Sequence, residues 1–108
     1  MLEPTLSVAI DDAATFTYRV RNDGDEAVRL AFSTSQRVEV EVYAGDDLVW
    51  RFGDRRMFAQ ALGEETIGPG SSFEEAVTWD DPEPGRYVAV ASLAADEVDA
   101  GVRAAFEV

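Results

Sequence analysis

A chain of 108 residues with 22 Asp and Glu against nine basic residues, all of them Arg, has a formal charge of −13 and the size of one domain built on one core. Phosphate backbones demand a basic face that such a chain lacks, so nucleic acid is excluded as a partner. With neither Cys nor His, disulfides, thiolate chemistry and imidazole acid–base work are excluded too, along with zinc and copper sites, and only hard oxygen ligands are left for any metal.

Apolar and polar residues alternate with a period of two almost throughout, and the alternation breaks every eight to twelve residues at Gly, Asp, Asn or Pro. Leu6, Val8 and Ile10 predict a first strand that ends at Asp11-Asp12, and Phe16, Tyr18 and Val20 a second. Asn22-Asp23-Gly24-Asp25 has the composition of a tight hairpin turn into a third strand carrying Val28, Leu30 and Phe32. Val38, Val40 and Val42 make the clearest strand, with Glu39 and Glu41 on its wetted face. A turn at Ala44-Gly45-Asp46-Asp47 returns the chain as a partner strand through Leu48, Val49, Trp50, Arg51 and Phe52.

Residues 55–62, RRMFAQAL, are rich in helix formers, with Asp54 placed to cap the start and Gly63 the end, which fits one helical turn or a loop. Glu65-Thr66-Ile67 is a short strand. In Pro69-Gly70, Pro fixes φ and Gly takes the positive φ that the middle of a type II turn requires. Phe73, Ala76, Val77 and Trp79 follow, then the punctuation of Pro82, Pro84 and Gly85, a strand with Tyr87, Val88, Val90 and Leu93, and a last one with Val102, Ala104 and Phe106. Eight or nine short strands without a convincing amphipathic helix predict an all-β, immunoglobulin-like antiparallel β-sandwich. No linker or repeat interrupts it, so one domain is expected over residues 1–108.

The acid excess without Lys is what a halophilic source builds, since salt screens the self-repulsion of the compact state. An acidic mesophile with a GC-rich genome is the other explanation, as coding alone then favours Arg over Lys. The segment MLEPTLSVAIDD lacks the basic flank and apolar centre of a signal peptide, and no apolar run reaches the length of a membrane span. A cytoplasmic protein is the expectation.

Trp50 and Trp79 read as core anchors, and Trp50 also stands at the base of the 55–62 segment, where it would hold that segment's shape. The acid pairs Asp11-Asp12, Asp46-Asp47 and Asp80-Asp81 fall at turns, where Asp is favoured for its geometry. Calcium is the functional alternative for such carboxylates, but the DxDxDG spacing of a calcium loop is absent. Ser and Thr residues have no His to activate them. Arg55-Arg56-Met57-Phe58 sets two positive charges beside two bulky apolar residues on an acidic chain. It reads either as a contact point, with an apolar anchor entering a partner's pocket, or as a buried Phe58 with Arg55 and Arg56 paired to Asp54, Glu64 and Glu65.

The ordered set Phe16-x-Tyr18-x-Val20-x-Asn22, Leu30-x-Phe32-Ser33-Thr34-Ser35-Gln36, Val49-Trp50, Met57-Phe58-Ala59-Gln60, Pro69-Gly70, Trp79 and Pro84-Gly85-x-Tyr87 resembles the BsuPI family of intracellular proteinase inhibitors, in the acidic dress of a haloarchaeal member. The resemblance implies an immunoglobulin-like sandwich that inhibits a subtilisin-type serine protease as its partner; the lack of His, Cys and Lys for acid–base or nucleophilic work argues against an enzyme, and no cofactor is expected. On that reading the candidate contact loop is Arg55, Arg56, Met57, Phe58, Gln60 and Leu62, supported by Trp50, Pro69, Gly70 and Trp79. Met57, Phe58 and Leu62 are the candidates for the side chain inserted into the protease, with the loop lying in the substrate groove as an added strand. A non-inhibitory immunoglobulin-like interaction module, binding through a sheet face or edge, is the alternative.

Overall fold

Each alternating run becomes a strand. The computed structural model describes residues 2–54, 57–96, 98 and 100–108. Among them run β1 (Leu2–Ile10), β2 (Ala13–Asn22), β3 (Val28–Phe32), β4 (Val38–Ala44), β5 (Asp47–Arg51), β6 (Gly63–Ile67), β7 (Ser72–Asp80), β8 (Arg86–Leu93) and β9 (Val102–Glu107). All pairings are antiparallel, in a three-stranded sheet β1-β2-β7, a four-stranded sheet β5-β4-β8-β9 and a two-stranded ribbon β3-β6.

The period of two sends one face of each strand inward. Ala14, Phe16, Tyr18 and Val20 of β2 meet Val38, Val40 and Val42 of β4 and Ala89, Ala91 and Leu93 of β8 in one buried cluster, which makes the two larger sheets the layers of a sandwich. Leu30, Phe32 and Ile67 of the ribbon belong to the same cluster. The Tyr18 hydroxyl, carried into the core by that alternation, donates to Ala100 O at 2.6 Å, so the buried phenol is satisfied.

One expectation is corrected. The Asn22-Asp23-Gly24-Asp25 turn does not close a hairpin, because β2 pairs with β1 and β7 while β3 pairs with β6. The chain instead leaves the three-stranded sheet there. Asn22 is fully buried at the crossing; its Nδ2 donates to Glu26 O at 2.7 Å and to Ile67 O at 2.9 Å, and its Oδ1 accepts from Gly24 N at 3.0 Å. Its side chain is thus spent on tying the ribbon to β2. Of the two readings of residues 55–62, the loop holds for the described part: residues 57–62 have no regular secondary structure, while Arg55 and Arg56 lie outside the described residues.

The Pro69-Gly70 turn follows β6. Ser71 N donates to Gly68 O at 3.0 Å, and Gly70 has φ of 76°, the conformation a type II turn needs at its third position. Gly70 N also donates to Asn22 O at 2.7 Å, which fastens the turn to the end of β2.

Candidate functional site

The segment between β5 and β6 is built from its two ends. Beyond β5, Phe52 N donates to Val40 O at 2.8 Å, and Gly53 N donates to Glu39 Oε1 at 2.9 Å. The Arg51 guanidinium lies 3.5 Å from Glu39 Oε2 and 3.0 Å from Glu41 Oε2, so the two outward carboxylates of β4 hold the strand that launches the loop. Asp54 N closes a turn on Arg51 O at 3.2 Å.

At the far end the chain enters β6 through Gly63, paired with Phe32. A Cβ at Gly63 would lie 2.5 Å from Arg37 Nη2, so the guanidinium packs where a side chain would stand. That guanidinium lies 4.3 Å over the Phe32 ring, a cation–π geometry. It also donates to Thr34 O at 2.9 Å and to Glu65 Oε2 at 3.4 Å. Glu75, half-buried on the inward face of β7, has its carboxyl raised above the usual range by burial, with the charge of Arg37 pulling the other way.

The middle of the loop is fixed as well. Ser35 N donates to Ala59 O at 3.0 Å, and Ala59 N donates to Ser35 Oγ at 2.9 Å. This two-bond clasp holds the loop's midpoint against the connection between β3 and β4. Phe58, next to it, is half-buried with its ring 6.1 Å from Phe52. Phe52 meets Trp50 at 6.5 Å, and Trp50 stacks on Trp79 and on Phe16, each at 5.9 Å. A file of aromatic rings therefore runs from the loop into the core, continued by Tyr87 and Phe106.

With Phe58 turned inward, the chain presents its neighbours. Met57 is 99% exposed and Leu62 89%, far beyond what any other large apolar side chain among the described residues shows. Gln60 is exposed between them. Trp50 lies under the loop through Phe52; Trp79 stands one ring further away, and Pro69 and Gly70 shape the turn after β6. The sequence pattern did not single out Ser35 as the loop's support. Its signal was the polar run Ser33-Thr34-Ser35-Gln36, but its bonding partner is 24 residues away, beyond any local periodicity. Among the described residues no group of three or more carboxylate, His or Cys side chains is placed to hold a metal, and no helix is long and apolar enough to cross a membrane.

The arrangement is an antiparallel sandwich that displays a clasped loop with two bare apolar side chains, Met57 and Leu62. The family model described as BsuPI, intracellular proteinase inhibitor, matches residues 2–98, and the chain belongs to that family, one of inhibitors rather than enzymes. No curated protein matches the chain. Among solved structures, β-glucosidase 3B from Thermotoga neapolitana, in complex with glucose, is similar with a TM-score of 0.55 and 19% identity over 99% of this chain and 16% of that one. A GH3 β-glucosidase from Bifidobacterium adolescentis gives 0.56 and 18% over 100% of this chain and 17% of that one. The chain thus spans about one-sixth of the length of these enzymes, and the likeness is one of fold.

Proposed function

We propose that this member of the family inhibits a subtilisin-type serine protease in the cytoplasm by direct binding, with residues 57–62 laid in the substrate groove and Met57 as the inserted side chain. The observation that carries the reading is the full exposure of Met57 beside a midpoint clasped to Ser35. A fixed backbone loses little freedom on binding, so apolar contact made by the tip is retained as affinity. Leu62, nearly as exposed, is the second apolar contact of the same loop. The acid excess without Lys favours a halophilic, haloarchaeal source, which sets the salt at which the pair should meet.

The test is a titration of the chain into a fixed amount of such a protease in high salt, following residual peptide hydrolysis. Burying a Met side chain contributes about 1.5–3 kcal/mol, and a buried unpaired carboxylate adds a penalty, so Met57→Asp is expected to weaken inhibition by about tenfold or more while the fold is kept. A folded Met57→Asp that inhibits as well as the parent removes the loop from the mechanism. A non-inhibitory module is favoured by one feature, the edge strand β5, where Leu48 and Val49 are 46% and 45% exposed; it predicts no loss of hydrolysis at any ratio.

A further inference from the structure

Sulfur is scarce in this chain and unevenly placed. There is no Cys, and of the two Met residues one is the first residue and the other is Met57. The Met57 side chain is 99% exposed, so the thioether is open to small oxidants in solution. Its neighbour Phe58 packs against Phe52 and Ala59 is clasped by Ser35, so the core does not use Met57. A change of its polarity alters what the loop presents and leaves the fold alone.

We propose that Met57 is a reversible oxidation site that switches the contact loop off, a proposal that rests on the inhibitor reading above. The oxidant is a peroxide of the hydrogen peroxide class. A lone pair of the Met57 sulfur attacks one peroxide oxygen; the sulfur–oxygen bond forms, the oxygen–oxygen bond breaks, and with hydrogen peroxide the second oxygen leaves as water after proton transfer. Sulfur gives up two electrons and the peroxide takes them. The product is a sulfoxide, which turns a flexible apolar side chain into a polar, chiral one and is reduced back by methionine sulfoxide reductases at the expense of a dithiol. A side chain that enters an apolar pocket is the position at which this conversion removes the most affinity. Chain oxidised while unbound no longer rebinds, so protease freed by dissociation stays active under peroxide without degradation of its inhibitor.

The experiment treats the folded chain with graded hydrogen peroxide in high salt and follows three readouts: peptide mass mapping for one added oxygen at each Met, the thermal melt, and the protease titration. The expected result is oxygen uptake at Met57, an unchanged melt, and inhibition weakened about tenfold or more in proportion to the fraction of Met57 oxidised, with recovery after a sulfoxide reductase and dithiol. Met57→Leu, compared with itself before and after peroxide, should not change. Chain oxidised at Met57 that inhibits like the untreated chain overturns the switch and leaves the inhibitor reading intact. A loss that tracks oxidation at another residue, or that the reductase fails to restore, overturns it as well. Untreated chain that fails to inhibit overturns the inhibitor reading, and the switch falls with it.

Discussion

Replacing Asn22 is expected to cost more than any single apolar truncation on the surface, because this one side chain closes three backbone groups at the crossing between the three-stranded sheet and the ribbon. Asn22→Ala removes the donors to Glu26 O and Ile67 O and the acceptor for Gly24 N. At about 1 kcal/mol net for each hydrogen bond the loss is about 3 kcal/mol. The two backbone bonds of Asn22, its N–H to Ser71 O and its carbonyl from Gly70 N, survive the change, so the figure counts the side chain alone. Against a total stability of about 5–15 kcal/mol, this is a large fraction, and at about 4–8 °C per kcal/mol for a domain of this size the midpoint should fall by about 12–24 °C.

Asn22→Asp keeps the shape and the acceptor but turns a carboxylate oxygen toward two carbonyls, so at neutral pH it should destabilise at least as much as Ala. In acid, where the protonated carboxyl regains a donor, part of that loss should return. Thermal melts followed by circular dichroism in high salt, with urea curves to verify an unchanged slope, read both effects. Midpoints for both variants within about 2 °C of the parent would refute the assignment of this side chain as the tie between β2 and the ribbon.

Ser35→Ala removes the Oγ acceptor for Ala59 N and leaves the Ser35 N–H to Ala59 O bond. The melt should move by the equivalent of about 1 kcal/mol or less, while inhibition weakens several-fold and cleavage within residues 57–62 by a broad-specificity protease speeds up; identical cleavage rates would show that the clasp does not hold the loop. Gly70→Ala meets open space, but φ of 76° is costly for a residue with a Cβ, so a loss of about 1 kcal/mol is expected, and less for Asn, which tolerates that region better. Unfolding curves that do not separate Gly, Asn and Ala at this position would contradict the type II turn. Burial raises the Glu75 carboxyl in the folded state, so its ionised form is disfavoured there: the penalty is absent below the unfolded titration and complete above the folded one. Glu75→Gln should therefore raise the melting temperature at neutral pH, and the gain should shrink as pH falls through the carboxylate range; a gain that is constant with pH would exclude this origin.

The inward residues of β2 and β4 were legible because alternation alone specifies which face is buried once a chain is extended. Turn composition likewise located the return of the chain at Ala44-Gly45-Asp46-Asp47, which the β4–β5 pairing bears out, and the turn at Gly70. It failed at Asn22-Asp23-Gly24-Asp25, where composition says that the chain bends but is silent on which strand it next pairs with. Helix formers in residues 57–62 left a helical turn open beside the loop for a related reason. Helix propensity is worth only tenths of a kcal/mol per residue and a short helix must overcome its own nucleation, whereas the actual path is set by anchors at Gly53, Ala59 and Gly63 to residues of β3, β4 and the segment between them.

The contact loop shows the division most clearly. Sequence by itself determined that the protein is an all-β sandwich, that it has no imidazole or thiol chemistry, and that an apolar and basic stretch interrupts an acidic chain, because composition and a period of two are local properties. Of Met57 and Phe58, adjacent and both apolar, it could not determine which faces out. Tertiary structure decided that, since Phe58 finds the Phe52 ring and Met57 finds nothing, and it decided that Ser35 would hold the loop beside them at Ala59, because a hydrogen bond spanning 24 residues exists only once both sheets have closed on the core.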